Sequence, residues 1–246
     1  MNDNFSFSSV ASKAQVTYDA GLRRFMLSTY NYMALGIAFT GLVTLWLAVN
    51  TEIMRSIASG IMLWVVFGAT LLVGVMAPNI ILRSRNIATA HLAYWGYAAL
   101  VSALISPMIY SFLSIENGVY DLARAFFITS GMFAGASLYG YVTRRNLQGM
   151  AGFLAMAGIG LFIALLVSFF LKSTFFSLVV SFGIVIFSAV VTAFKTQLLK
   201  QQYDSFYRAG PAMLSRLGIL GALILYGAFI NMFINILRIM MLTRNN

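Results

Sequence analysis

The sequence contains no cysteine, one histidine (His91), three prolines and only six acidic residues. Each shortage removes a class of chemistry. Without cysteine there is no disulfide framework, no thiolate metal site and no cysteine nucleophile. A single imidazole excludes multi-histidine metal centres and leaves any Ser-His-Asp arrangement resting on one residue. Charge is scarce too: 9% of the 246 residues are charged and 61% are apolar, against roughly 25% charged in an ordinary globular protein. A chain so composed cannot cover itself with polar surface in water, and its solvent is a lipid bilayer. The 16 Lys and Arg outweigh the acids by 10. In a soluble protein that excess would suggest nucleic acid; between apolar spans it orients the chain relative to the cytoplasmic face instead, so no nucleic-acid partner is expected.

What is present is a succession of long apolar runs. Residues 1–26 are polar and serine-rich, without the apolar core and small-residue cleavage site of a signal peptide, and read as a cytoplasmic tail. A single membrane domain follows over 27–242, with seven spans at about 29–49, 57–81, 88–113, 123–142, 150–171, 174–194 and 213–241. Each is near or above the ~20 residues that cross a ~30 Å hydrocarbon core. None alternates as a membrane barrel strand must, so the expected class is an all-α integral membrane protein, a seven-helix bundle. The junctions are short and polar, such as Asn50-Thr51-Glu52, Glu116-Asn117-Gly118 and Thr143-Arg144-Arg145-Asn146, with a longer one over 195–216. With seven full spans, the tail and the even-numbered loops carry eleven positive residues and the opposite side carries five, Arg55, Arg124, Lys172, Arg238 and Arg244. The asymmetry places the N-terminus in the cytoplasm. Asn231, Asn235 and Arg238 leave a second option for the last span, a re-entrant helix that returns the C-terminus to the cytoplasm.

Two spans carry polar stripes. Ser177, Ser181, Ser188, Thr192 and Lys195 lie within about 60° of one another on the sixth helix at about 100° per residue. On the seventh, Asn231, Asn235 and Arg238 share a face, with Ala228 one turn before them. These faces could line a path, or their hydroxyls and amides could act as packing glue between helices, worth around 1 kcal/mol per hydrogen bond or less. Arg238 weighs toward function, because a cation inside a span costs at least ~2.5 kcal/mol unless it snorkels or pairs. Close helix packing is expected at Gly131 and Gly135, a GxxxG pair, and at Gly218 and Ala222. Pro107 is expected to kink or end the third span. Asp121 and Arg124 are placed to pair at the start of the fourth, and His91 is read as an interfacial packing residue. All six acids lie in the tail, loops or span ends, so no carboxylate stands in mid-span for a proton relay or a calcium site. No metal, cofactor or enzyme chemistry is expected, since no span carries an acid–base pair and His91 lacks an evident orienting carboxylate.

Several blocks are familiar in combination: Tyr18-Asp19-Ala20-Gly21-Leu22-Arg23 with Tyr30-Asn31-Tyr32-Met33-Ala34-Leu35-Gly36, then Phe126 to Phe133 running on to Ser137-Leu138-Tyr139-Gly140-Tyr141, and the ending Phe229-Ile230-Asn231-Met232-Phe233 through Leu237-Arg238. From about Tyr18 to Arg238 the chain resembles the Bax inhibitor-1 family, including its bacterial YccA-like branch. The resemblance implies a compact seven-helix bundle with the last helix near its centre. In several members it also implies a pH-sensitive calcium leak governed by two paired aspartates. Here that pattern departs from the family. The stretch that usually reads Thr-Ala-Tyr-Asp-Thr-Gln is Thr192-Ala193-Phe194-Lys195-Thr196-Gln197, and the one that usually reads Leu-Tyr-Leu-Asp-Phe-Ile-Asn is Leu225-Tyr226-Gly227-Ala228-Phe229-Ile230-Asn231. Two carboxylates sharing a site can switch near neutral pH; Lys195 with Ala228 has neither the shared proton nor a divalent-cation site. Lys195 either snorkels to the interface or reaches carbonyls or Asn231 as a permanent tether.

The matched polar faces and the resemblance together point to an ion-leak or transport-related protein of a bacterial inner membrane, with a path between the last two helices lined by Ser181, Ser188, Thr192, Asn231, Asn235 and Arg238. The alternative is an interaction protein, a substrate or modulator of a membrane-bound quality-control protease, grasped by its unstructured tail. A monomer is favoured over an oligomer. The charge asymmetry makes a direct prediction in this cysteine-free chain: a cysteine introduced at Asn146 resists a membrane-impermeant thiol reagent applied to intact cells, and one at Glu116 reacts. The reverse pattern would invert the topology.

Overall fold

A computed structural model describes residues 3–171 and 173–244, with side chains for 20–57, 59–168, 170–171 and 173–244. Lys172 and the side chains of Asp3, Lys13 and Asp19, which entered the charge reading, lie outside these residues. The described chain forms α1 (Asp3–Val49), α2 (Thr51–Ala58), α3 (Gly60–Arg83), α4 (Ile87–Leu113), α5 (Gly118–Val142), a 3₁₀ turn (Leu147–Met150), α6 (Ala151–Leu171), α7 (Thr174–Arg208) and α8 (Pro211–Arg244). Seven of the eight helices, all except α2, are long and apolar enough to cross a membrane, the first from Ala20 and α6 counted together with the 3₁₀ turn before it. The chain is thus an all-α, seven-span membrane protein. Helix is the only local structure that lets a lipid-exposed run satisfy its own backbone.

The polar junctions act as caps. Asn86 Oδ1 accepts from the Ala88 amide (3.0 Å) to start α4, Asn146 from Gln148 (2.9 Å) to start the 3₁₀ turn, and Ser173 Oγ from Phe176 (3.3 Å) to start α7. Gly60 turns α2 into α3 with φ +49°, a conformation that favours glycine.

Four boundaries differ from the sequence expectation. Residues 3–19, read as part of an unstructured tail, have helical backbone. The chain after Asn50 is a short helix, α2, with Met54 buried and Glu52 and Arg55 exposed. The long junction after Lys195 is largely helix, because α7 runs on to Arg208 and turns through Ala209 and Gly210 directly into α8. Pro107 does not end its span. It deprives the Ala103 carbonyl of its usual amide donor, and the Ser106 hydroxyl donates to that oxygen at 2.9 Å, so α4 continues to Leu113.

α8 is the centre. Of its apolar window 61% is buried, against 6% for the window that includes α6. It packs on α7, α1, α5, α3 and α4, while among the described residues α6 packs its backbone closely on α7 and the preceding turn and reaches α8 through a side-chain hydrogen bond from Arg238 to Ser168. α8 is continuous, and its far end reaches α5, where Arg244 meets Asp121 at 3.2 Å. The expected Asp121–Arg124 pair also forms, at 3.7 Å. The re-entrant option for the last span is therefore replaced by a continuous helix long and apolar enough for a full crossing, with Arg244 at the end of the bundle opposite Ala20. At the other end, rich in arginine, Arg216 donates to the Arg85 carbonyl and Gln197 reaches the Arg145 carbonyl.

Close packing falls partly where expected. Gly218 faces Phe25 and Thr29 of α1, and Ala222 is fully buried. Gly131 and Gly135 are exposed with open space beside them. The α5 face that packs runs instead through Ala125, Thr129, Phe133, Ser137 and Gly140. At Gly140 any Cβ would overlap the Ala193 backbone of α7. Gly140→Val is therefore expected to cost about 1–3 kcal/mol by overpacking, read as a lower melting temperature in detergent, whereas Gly131→Val leaves it unchanged. Equal losses would contradict this assignment of the packing face.

Candidate functional site

The sixth and seventh spans, α7 and α8, form a helical hairpin whose turn contains Gly210 at φ +103°. Leu199 lies against Gly221 and sets the register, bringing Ala228 roughly level with Thr192, and Asn235 with Val185. The expected hydroxyls of the α7 stripe face inward: Ser177, Ser181, Ser188 and Thr192 are buried, as is Thr196, which the expected stripe did not include. Thr192 donates to the Ser188 carbonyl at 2.8 Å within its own helix. Ser177 pairs with Ser168 of α6 at 2.7 Å. Ser181 differs, since its hydroxyl is fully buried with no hydrogen-bond partner among the described residues.

The polar residues of α8 divide. Asn235 is buried and its amide donates to the Asn231 carbonyl at 2.8 Å, whereas Asn231 is exposed on the flank of α8. Arg238 is half-buried and donates to Ser168 Oγ at 3.3 Å, tying α8 to α6 through the same hydroxyl that Ser177 uses. Snorkelling alone does not describe it. Lys195 is half-buried, its ammonium 5.5 Å from the centre of the neighbouring Phe194 ring, and it makes no hydrogen bond or ion pair among the described residues. It does not tether α8 through Asn231. The interhelical lysine tether is made by Lys200, which donates to the Tyr141 carbonyl of α5 at 2.9 Å over the Tyr141 ring. Ala228 is half-buried. Among the described residues, no three histidine or acidic side chains gather as a metal site.

Sequence reasoning missed the polar links between helices. Tyr30 of α1 bonds Ser137 of α5, which bonds Thr196 of α7 at 3.1 Å. Tyr226 of α8, fully buried, bonds Thr40 of α1 at 2.7 Å. Tyr94 of α4 donates to the Tyr32 carbonyl at 3.1 Å, and Tyr32 pairs with His91 at 2.5 Å. The available signal was hydroxyls in apolar runs, because a phenol buried in hydrocarbon must find a partner. Gly36 lies under the Tyr94 hydroxyl, where any Cβ would overlap it. Of the three sequence blocks, the first meets the second at Tyr30 and Ser137, and the second meets the third at Phe133 and Phe229, whose rings are 5.7 Å apart.

The sequence model described as "Inhibitor of apoptosis-promoting Bax1" matches residues 22–245. The chain belongs to the Bax inhibitor-1 family. Among relatives of this family, a protein of Rickettsia prowazekii is 38% identical, covering 90% of this chain and 91% of its own. One from Caulobacter vibrioides is 34% identical over 94% of each. The inner membrane protein YbhL of Escherichia coli is 33% identical over 89% of this chain and 92% of its own. These relatives match nearly end to end.

The orphaned Ser181 hydroxyl yields a test. Removing a buried polar atom that has no partner is neutral or stabilising, so Ser181→Ala is expected to hold or raise the melting temperature. Thr40→Ala, which strands the Tyr226 hydroxyl, is expected to cost about 1–3 kcal/mol. Destabilisation by Ser181→Ala would mean that a ligand or water normally completes that site.

Proposed function

We propose that this chain is an ion-leak or transport-related protein of a bacterial inner membrane, with its N-terminus in the cytoplasm and no enzyme chemistry. Its path follows the α7–α8 seam, past Ser181, Ser188, Thr192 and Asn235, with Asn231 and Arg238 on the α8 flank. The observation that carries this reading is the Ser181 hydroxyl, buried and unpartnered on a stripe of five buried hydroxyls. A polar atom left unsatisfied in a packed bundle costs free energy, and a passing ion or water would satisfy it. YbhL, the related inner membrane protein, supports the location.

In this account the family's paired-aspartate sensor is absent. Lys195 and Ala228 stand at its two positions, and a cation beside an alanine offers no carboxylate oxygens to calcium. The protein is then a leak whose calcium flux is weak and insensitive to pH. Calcium efflux from proteoliposomes, measured from mildly acidic to mildly alkaline pH, tests this directly. The native chain is expected to show little flux at any pH, and the Lys195→Asp/Ala228→Asp double variant a flux that changes with pH. A strong native calcium leak that Lys195→Asp leaves unaltered would overturn it. Silence from both forms would also count against a leak and favour the interaction reading, with a membrane-bound protease as the partner to seek.

A further inference from the structure

A crevice of about 490 Å³ separates α1 from α5. The two helices make no close backbone contact among the described residues and meet across the crevice through the Tyr30–Ser137 hydrogen bond. Its walls are apolar, with Met26 and Leu27 from α1 and Phe133, Ala134 and Leu138 from α5. Phe133 is buried and rests on Phe229 of the central helix at 5.7 Å, so it forms the floor; Leu27 and Leu138 stand exposed at the lips. The single charged side chain among the described residues that line it is Arg23.

An open recess on the exposed face of α1 adjoins the crevice, sharing Arg23 and Leu27, and its remaining lining is mostly polar: Arg24, Ser28 and Asn31 with Ala20. The two volumes together have the polarity of an amphiphile, an apolar slot continuous with a cationic mouth. Their direction fits as well. From Arg23 to Tyr30 the slot runs inward along α1 for about 10 Å, starting at the arginine-rich end of the bundle, where lipid headgroups lie. Lys200, held over Tyr141 at the same end, adds positive potential.

We propose that this crevice holds one acyl chain of an anionic phospholipid, with its phosphate between Arg23 and Arg24. Arg23 supplies the charge-assisted donors for the phosphate oxygens, which a guanidinium matches in geometry. The apolar slot, within the size range of small-molecule sites, receives the chain against Phe133. Lipid in this position spans α1 and α5 where close backbone contact is missing and covers the Tyr30–Ser137–Thr196 links.

The test uses the full chain purified in detergent and titrated with phosphatidylglycerol or phosphatidylcholine, read by native mass spectrometry for retained lipid and by melting temperature. The native protein is expected to retain phosphatidylglycerol about fivefold better than phosphatidylcholine, the scale of one well-placed basic residue at a lipid surface. Arg23→Gln is expected to abolish that preference while chain binding persists. Ala134→Trp fills the slot from an exposed position outside the packed core and is expected to lose retention of both lipids; Leu27→Trp, from the opposite lip, repeats the test. Unchanged phosphatidylglycerol preference in Arg23→Gln, or native-like retention in both tryptophan variants, would show non-specific annular lipid and overturn the proposal.

Discussion

A bilayer gives helices no hydrophobic reason to associate, because lipid tails are as apolar as leucine. The bundle therefore depends on the close approach of α8 to its neighbours and on hydroxyls that find partners across helices. α7 closes on α8 where Gly221 admits Leu199, and α1 closes where Gly218 meets Phe25 and Thr29. α5 reaches α7 through Gly140 on the Ala193 backbone, and α4 reaches α1 through Tyr94 over Gly36. Around these contacts the hydrogen bonds Tyr226–Thr40, Ser137–Thr196 and Tyr94 to Tyr32 fix which helix faces which. Each is worth about 1 kcal/mol or less in a membrane. Their importance is in selecting one arrangement, since a misrotated helix would strand a phenol or hydroxyl in hydrocarbon.

The same accounting explains the two cations of the seam. Arg238 meets its desolvation by donating to Ser168, a hydroxyl that also holds Ser177, so one small side chain joins α6, α7 and α8. Lys195 has only the Phe194 ring, and its half-exposed position lets it keep some contact with headgroups or water. A tether from α7 therefore comes from Lys200, one and a half turns further toward the arginine-rich end, where the Tyr141 carbonyl is within reach.

Seven spans, an all-helical class and the inward hydroxyl stripe of α7 were legible in the sequence, because each rests on a run of residues read against one period. The Asp121–Arg124 pair was legible for the same reason, being three residues apart on one helix. What the sequence hid depends on the rotation of one helix against another. Gly131 and Gly135 have the spacing of a packing motif, yet α5 turns that face outward. Arg244 on Asp121 joins residues 123 apart, and Tyr226 on Thr40 residues 186 apart. The length of α7 was underestimated because its last fourteen residues are mostly polar and the apolar run ends before Lys195, whereas from Lys195 to Gly210 there is no glycine or proline to stop the helix.

The central claim is that the α7–α8 seam is closed by packing, with Leu199 seated on Gly221, and that no carboxylate among the described residues takes part, so acidity does not move it. Ser188→Cys places a probe in that seam in a chain that has no other cysteine. Its reaction with a water-soluble thiol reagent in proteoliposomes would be followed across mildly acidic to mildly alkaline pH. Normalising it to Glu116→Cys in an exposed loop corrects for the fraction of thiolate. The account predicts a slow reaction whose ratio to the loop reference stays constant. A ratio that rises or falls with pH would mean that the seam opens on titration of a group this account leaves out, and would contradict it.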